Sequence, residues 1–584
     1  MAFIDDNVSM FSPATYRLFL LCLLVQLPAG RGAAAIDGLP VTEIRVSEAA
    51  HEGLFVDSIV IDNRNIYDTE NAKYGNFVFK TANALHWTTR KRVVRREVLL
   101  RVGEPYSQEL AEETARNLRR CLTLYDAWVE TSLLPNGHLL VRVVTIDQWS
   151  ISGGFNVNRE GNEVRYQIGV ADKNLLGNNQ FFDIAYFFRE IEDDHLTTHL
   201  ADNRVFGWPL SLGVDYSNDP LASFQRLAVG RPFYDLSQRF SYSLSAMAVG
   251  GRRDIYDDEA KIAQSRYAGD LAGLALAYST GPHADKIRLK LGYDYRFERS
   301  YDKDTLSNDP QDWAAALAGF PRDSLYHRVS AMVGYSRMSF VSLRQIDGFG
   351  YTEDFTLGPS VAVKVARAVN SDEVVFDNLG LGLAHTCRFR AGLVRLSCES
   401  LIWVTHGTEV RRLTDEGLIR VTRGTVVRRS LTEVALQAYN RPSDVFTVAA
   451  RANYRMDRMG NADNLALGGT NGLRGFETYF RNGNRRAVLN VEGRTFPGLE
   501  LLSVMIGATL FADIGRTWKS GEPFRFRDFD ASVGAGLRVS FEKSSKTALF
   551  RLDVAYSERN GWQLSIGSGQ YFRAATSVLP LTSH

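Results

Sequence analysis

The feature that most constrains this chain is an alternation of apolar and polar residues that begins near Trp149 and continues almost to the C-terminus. Residues 211–217, 286–297 and 550–557 place an apolar side chain at every second position. Successive side chains of a β-strand point to opposite faces, so a period of two is typical of strands with one apolar face. Helical periodicity nearly vanishes in this region. We therefore predict a large β-domain over residues 149–572.

Alternation alone fits both a soluble β-sandwich and a membrane barrel. In a sandwich the charged face meets water, whereas in a barrel the apolar face meets lipid and the charges line the lumen. Aromatic residues near the strand ends favour the barrel, because such residues form interfacial girdles. At about ten residues a strand plus loops, we expect about 16 antiparallel strands. A soluble secreted β-protein is the weaker alternative. The aromatic residues are Tyr234, Tyr242, Tyr293, Tyr295, Tyr556, Trp562 and Phe572.

The N-terminus has the pattern of a secretory signal peptide. An apolar run over residues 18–27 follows Arg17 and precedes three alanines at 33–35. A cationic start, a short apolar core and a small-residue cleavage site define such a signal. We predict a signal peptide over residues 1–35 and a lead segment over 36–54, which would take the chain out of the cytoplasm.

Residues 55–147 have a different, mixed pattern that predicts a small α/β domain. The elements in order are a strand at 55–61, helices at 88–100 and 108–121, the second capped by Ser107, and two strands joined by the hairpin turn Asn136-Gly137. The first helix is basic, and this face is either simply solvated or a contact for lipid headgroups or a partner chain. Its basic residues are Arg90, Lys91, Arg92, Arg95 and Arg96.

No pattern in the chain indicates catalysis. The chain has no G-x-S-x-G, H-E-x-x-H or phosphate-loop motif, and its ten histidines are scattered. We therefore expect no enzyme activity, no cofactor and no metal site. A net charge of +1 gives no electrostatic reason for a nucleic-acid partner. Cys387 and Cys398 flank a predicted hairpin turn, and whether they form a disulfide is open.

Five segments in the expected order resemble the BamA/TamA superfamily of outer-membrane assembly and secretion proteins. Residues 88–118 resemble a POTRA domain, the periplasmic module of that family. Residues 172–178 resemble its early barrel segment, and the last strand, predicted over 561–572, ends in an aromatic residue as the family's does. The remaining matches are the loop signature within 467–476 and the strand segments 489–494 and 511–515.

The resemblance implies a role for the loop signature Leu473, Arg474, Gly475 and Phe476. In the family this loop folds back into the barrel, and its arginine contacts acidic groups on the inner wall. Strand parity places Asp513 and Glu492 on the polar, lumenal face, so we predict Asp513 as the first partner of Arg474 and Glu492 as the second. The resemblance also implies a weak seam between the first and last strands, and we assign Gly567, Gly569 and Phe572 to it.

These features predict a membrane β-barrel with one N-terminal POTRA-like domain and a C-terminal tail over residues 573–584. The function implied by the resemblance is assembly or translocation in the bacterial outer membrane, with the N-terminal domain in the periplasm. The protein would insert or export polypeptide clients without nucleotide hydrolysis, with lipid handling as a variant of that role. Its partners would be the outer-membrane bilayer and an unfolded or secreted polypeptide. The alternative is a passive channel or a structural surface protein with the same fold.

Overall fold

The computed structural model describes residues 51–574 with internal gaps. The gaps are 161–162, 190–193, 258–259, 307–322, 371–372, 414–417, 460–464, 470, 478–479, 502, 542 and 544–548. The predicted signal peptide, most of the lead segment and the tail beyond residue 574 lie outside the described residues.

The α/β domain is a three-stranded sheet in the order β1-β3-β2, covered by helices. Strand β1 (Val56–Arg64) runs parallel to β3 (Leu139–Asp147), which pairs antiparallel with β2 (Leu124–Leu133). The helices are α1 (Phe77–Leu85), α2 (Lys91–Glu97) and α3 (Gln108–Arg120). Helix α3 buries Ala111, Ala115 and Leu118, whose spacing aligns one apolar stripe against the sheet.

The sequence-based order β-α-α-β-β missed helix α1. This helix begins after Asn76, whose side chain accepts a hydrogen bond from the Phe79 amide. Only Phe79 is buried along it, so the sequence carries no apolar stripe that could have indicated the helix. Among the described residues, no helix is long and apolar enough to span a bilayer.

The second domain is a closed antiparallel barrel that β27 completes by pairing with β4. Its strands, together with the small pair β20–β21, are β4 (Ile151–Glu160), β5 (Glu163–Asp172), β6 (Gln180–Arg189), β7 (His195–Asp202), β8 (Ser211–Ser217), β9 (Ser223–Arg231), β10 (Phe240–Asp257), β11 (Ala260–Thr280), β12 (Asp285–Thr305), β13 (Ser324–Arg337), β14 (Ser339–Arg344), β15 (Thr352–Asn370), β16 (Glu373–Phe389), β17 (Gly392–Leu413), β18 (Leu418–Ser443), β19 (Phe446–Met459), β20 (Leu465–Leu467), β21 (Arg481–Gly483), β22 (Arg485–Thr495), β23 (Leu499–Leu501), β24 (Val504–Trp518), β25 (Asp530–Phe541), β26 (Leu549–Ser557) and β27 (Gly561–Ser568).

The barrel has about 20 crossing strands, more than the 16 expected from the sequence. Strand β14 continues β13 along the same neighbour, and β23 is a short addition beside β24. The estimate was low because β4–β9 are only 7 to 10 residues long and joined by short connections. The expected number of 16 rested on a longer average length of strand plus loop over residues 149–572.

Side-chain burial separates a lipid-facing surface from a polar lumen. On β12, Leu291 is 61% exposed on the outer face, whereas Lys286, of opposite parity, is 6% exposed on the inner face. On β24 the same division places Leu510 outside and Asp513 inside. A barrel that exposes rows of leucine and valine while burying charges is arranged for a lipid exterior. The predicted fold class, a membrane β-barrel with an N-terminal α/β domain, is confirmed.

The structure corrects the prediction for the end of the chain. Strand β27 ends at Ser568, and Gly569 adopts a left-handed conformation with φ of 75°. The following residues turn into the lumen, where Phe572 is 4% exposed and packs near Tyr439. Phe572 is therefore neither a girdle residue nor part of the seam, whereas Gly567 lies within β27.

No disulfide joins Cys387 and Cys398 among the described residues. The β16–β17 register places Cys387 opposite Val394 and Cys398 opposite Leu383, so the two cysteines are not cross-strand neighbours. A disulfide would need a shift of the strand register.

Candidate functional site: a lumenal arginine cluster

The inner loop, residues 465–483, lies inside the barrel, and the structure describes its residues 465–469, 471–477 and 480–483. It begins and ends with the β20–β21 pair, and its central part follows the lumenal wall. Gly475 has φ of 80°, and a Cβ built there would lie 3.0 Å from the Cβ of Ala555 on β26. Glycine is required at this position because it combines a left-handed backbone with a close approach to the wall.

Arg474, at the tip of this loop, is buried among three carboxylates. Its Nε and Nη2 donate to the two oxygens of Asp513 at 2.7 and 2.9 Å, a bidentate pair. Its Nη1 donates to Glu492 at 2.7 Å and approaches Asp553 at 3.4 Å. The guanidinium also lies 3.6 Å from the ring centre of Phe511, a cation–π contact.

The carboxylates around Arg474 are shared with further arginines. Glu492 accepts from Arg494 Nε at 2.8 Å, and Asp553 accepts from Arg538 Nη1 at 2.5 Å. Each buried charge needs a partner of opposite sign, because the free-energy cost of removing an unpaired charge from water is not offset by any attraction. We call this set of groups the arginine cluster. It comprises the guanidinium groups of Arg474, Arg494, Arg538 and Arg551 and the carboxylates of Asp347, Glu492, Asp513 and Asp553.

The C-terminal segment, residues 570–574, binds directly to this cluster. The Tyr571 ring lies 4.1 Å from the Arg474 guanidinium, and its hydroxyl donates to the Gly469 carbonyl at 2.8 Å. Arg494 donates to the Phe572 carbonyl at 2.7 Å. Because the segment holds both the inner loop and the wall, it is part of the lumenal packing rather than a free end.

A third element enters the lumen from the end of the barrel next to the α/β domain. This lumenal hairpin, residues 345–351, connects β14 to β15. Its Asp347 accepts from Arg494 at 2.8 Å and from the Ala574 amide at 2.8 Å. Its Phe349 packs against Phe496. The inner loop, the C-terminal segment and the lumenal hairpin therefore converge on Arg474 and Arg494.

The α/β domain covers the barrel end from which the lumenal hairpin enters. Glu97 accepts from Arg204, in the β7–β8 turn, at 2.7 and 2.8 Å. Arg119 donates to Asp354 on β15 at 2.6 and 2.7 Å. Asp126 accepts from Arg344 and Thr352, which flank the lumenal hairpin. Contacts on turns and strands from several parts of the barrel hold the domain across the opening.

Glu113 on α3 is a titratable group in this interface. It accepts from the Leu236 amide, in the β9–β10 turn, at 2.6 Å and lies 3.4 Å from His283. Burial raises the pKa of Glu113, and the Leu236 amide and the His283 charge oppose that rise in part. We therefore expect docking of the domain to depend on the protonation of this carboxyl.

The structure brings together six of the nine predicted site residues. Leu473, Arg474, Gly475 and Phe476 lie in the inner loop, and Asp513 and Glu492 lie beside Arg474 as strand parity indicated. Of the three residues assigned to the seam, Gly567 lies within the last strand, where a Cβ built on it would lie 2.9 Å from Nη2 of Arg551, and Gly569 follows that strand. Phe572 lies in the lumen, where its carbonyl accepts from Arg494.

Sequence reasoning missed Asp347, Arg494, Arg538, Asp553 and Tyr571. Alternation on β26 already placed Asp553 on the polar face, so it could have been found, whereas no local signal points to Asp347 or Tyr571. Among the described residues, no group of three or more histidine, cysteine, aspartate or glutamate side chains could hold a metal ion.

No protein-family model matches the chain, and no curated protein matches it. Solved structures that match include CdiB from Escherichia coli, at 12% identity over 96% of this chain and 99% of that chain, with a TM-score of 0.44. CdiB from Acinetobacter baumannii matches at 10% identity over 89% and 74%, with a TM-score of 0.40. BamA from Haemophilus ducreyi lacking POTRA domains 1–3 matches at 12% over 88% and 83%, with a TM-score of 0.36.

Proposed function

We propose that this protein is an outer-membrane assembly or translocation component that inserts or exports polypeptide clients without nucleotide hydrolysis. The observation that carries the proposal is the internal closure of the barrel. Three elements of the chain itself occupy the lumen around one arginine cluster, and the α/β domain covers one opening. A permanently open pore does not require these contacts, whereas a protein that opens only when it binds a client must be closed in the absence of that client.

The α/β domain offers a place for a client to bind. Strands β1 and β2 are the two edges of its sheet, and an edge strand has main-chain groups free to pair with an added strand. Strand β2 is tied at Asp126 and Ala127 to Arg344 and Arg119. Val60, in the middle of β1, is exposed. We assign client binding to the β1 edge on these grounds.

The junction between β27 and β4 is the proposed exit into the membrane. Strand β27 has eight residues and ends just before the left-handed Gly569, after which the chain leaves the wall. Gly567 adds no side chain to the packing of this strand. Release of the C-terminal segment from Arg494 would free the end of β27, so we propose that opening of the seam is coupled to the arginine cluster.

Quantitative proteomics of a deletion strain tests the proposal. The outer-membrane fraction and the culture medium of the deletion strain should lack one or more polypeptides, which the wild-type gene restores. Unchanged proteomes together with a changed uptake of small solutes would overturn the proposal in favour of a passive channel.

Site-specific photo-crosslinking tests the binding edge. A photoreactive residue at Val60 should capture the same polypeptides that the deletion strain lacks. The matched control is Leu85, an exposed apolar residue on helix α1 of the same domain. Equal capture from both positions would contradict binding by strand addition.

A further inference from the structure

A cleft of about 580 Å³ opens where helix α2 meets the barrel wall. One side is formed by Arg92 and Arg96 of the helix, and the other by Leu200 and Leu212 on β7 and β8. Phe206, in the turn between these strands, also borders the cleft. The cleft thus combines guanidinium groups with apolar side chains of the barrel.

The two leucines lie on the lipid-facing surface of the barrel. Leu200 pairs with Val214 across the strands, and Val214 is an exposed residue of the outer face. Leu212 has the same parity as Val214 on β8. The cleft therefore opens toward the bilayer, at the end of the strands nearest the α/β domain.

The turn below the leucines is suited to the membrane interface. Phe206 is 95% exposed and Trp208 is 73% exposed, two large aromatic residues side by side. Aromatic side chains are favoured at the depth of lipid headgroups, where an apolar ring meets a polar layer. This places Arg92 and Arg96 at the height of the headgroups.

The arginines of the cleft differ in their pairing. Arg204 is neutralised by Glu97 in a bidentate pair, and Asp202 accepts from the Gln180 side chain and the Arg204 amide. Arg92 has one neutral partner, Asn178, at 2.9 Å. Within the part of the chain that the structure describes, neither Arg92 nor Arg96 forms an ion pair. Two guanidinium groups that form no ion pair can donate to an anion, and the carboxylate of the cleft, Asp202, accepts its hydrogen bonds from Gln180 and the Arg204 amide instead.

We propose that this cleft binds one phospholipid from the adjacent leaflet, with the phosphate held by Arg92 and Arg96. The acyl chains lie along Leu200 and Leu212, and the headgroup reaches the polar layer beside Phe206. Phosphate matches the planar fork of arginine, and the apolar wall supplies the remaining contact. The inference goes beyond the proposed function, because it requires only that the barrel lies in a bilayer.

Native mass spectrometry of the full chain in nonionic detergent tests the proposal. The probes are palmitoyl-oleoyl phosphatidylglycerol, the corresponding diacylglycerol without phosphate, and inorganic phosphate. The wild type should retain one phosphatidylglycerol and no diacylglycerol. The variant Arg92→Ala/Arg96→Ala should bind the phospholipid about 100-fold more weakly, at roughly tenfold for each charged hydrogen-bonding partner.

The matched control removes two positive charges from the same helix outside the cleft. Lys91 and Arg95 are exposed and do not line it, so Lys91→Ala/Arg95→Ala should bind phosphatidylglycerol within about twofold of the wild type. An equal loss in both double variants would indicate a general charge effect and overturn the site. Displacement of the lipid by millimolar inorganic phosphate would assign the cleft to free phosphate instead. Unchanged binding by the Arg92/Arg96 variant would refute the proposal outright.

Discussion

Replacing Arg474 with methionine is the perturbation whose effect the structure specifies most closely. Methionine keeps an apolar stem against Phe511 and Tyr571 but removes the guanidinium. Glu492 then still has Arg494, and Asp553 still has Arg538. Asp513 loses its bidentate partner and keeps only the Asn490 amide and the backbone amide of the loop. The substitution therefore leaves one buried carboxylate, that of Asp513, without a positively charged partner.

The expected magnitude follows from the burial of this pair. Both side chains are almost fully inaccessible, and removing one partner of a buried ion pair costs about 3–5 kcal/mol. That free energy corresponds to an increase of between about 100-fold and a few thousand-fold in the population of the undocked loop. Hydrogen exchange of the amides of residues 471–476, measured in lipid nanodiscs, should accelerate by that factor.

A double-mutant cycle separates this pair from general disruption. Adding Asp513→Asn to Arg474→Met removes the orphaned charge, so most of the lost protection should return. The control is Arg481→Met in the same loop, whose partner Asp530 lies 2.9 Å away but whose own side chain is about one-third exposed. That change should cost no more than about 1 kcal/mol. Additive effects of Arg474→Met and Asp513→Asn, or exchange within tenfold of the wild type, would refute the reasoning.

Three further perturbations have defined outcomes. Gly475→Ala places a Cβ beside Ala555 in a left-handed backbone. It should lower the free energy of local opening of the inner loop by about 1–2 kcal/mol or more and so speed its amide exchange, and unchanged exchange would contradict the steric argument. Asp347→Asn removes the carboxylate that accepts from Arg494 and from the Ala574 amide, so it should expose the C-terminal segment to digestion by carboxypeptidase. Continued resistance to the protease would show that aromatic packing alone holds the segment in the lumen. Burial raises the pKa of Glu113 in the docked state, so the docked carboxyl holds its proton more tightly than the undocked one. Docking of the α/β domain should therefore weaken as pH rises from the ordinary carboxyl pKa through the raised one, and Glu113→Gln should remove this dependence in spin-label distance measurements; an equal pH response in both proteins would exclude Glu113 as its source.

The elements that the sequence predicted well are those set by local alternation. The period of two identified the barrel, and parity on β22 and β24 placed Glu492 and Asp513 on the lumenal face beside Arg474. A one-residue shift would reverse every side chain, so parity is a strong local constraint. The predicted number of strands was too low, because strand length varies from 7 residues in β8 to 26 in β18 even among the strands that cross the barrel wall.

The elements that the sequence did not predict are held by residues that lie far away in the chain. Phe572 continues an alternating strand in sequence, yet it leaves the wall because Gly569 turns the backbone and Arg494 and Asp347 bind the residues that follow. The lumenal hairpin is held by Arg494, about 150 residues further along the chain. Such contacts are a property of the closed lumen, and no local pattern encodes them.

Planar-bilayer conductance tests the internal closure most directly. The comparison is between the full chain and a variant in which residues 465–483 are replaced by a short glycine-serine linker and the chain ends at Gly569. The wild type should show at most brief openings, because its lumen is filled, whereas the variant should show a large, steady conductance. A steady conductance of equal size from both proteins would contradict the closed barrel and favour a passive channel.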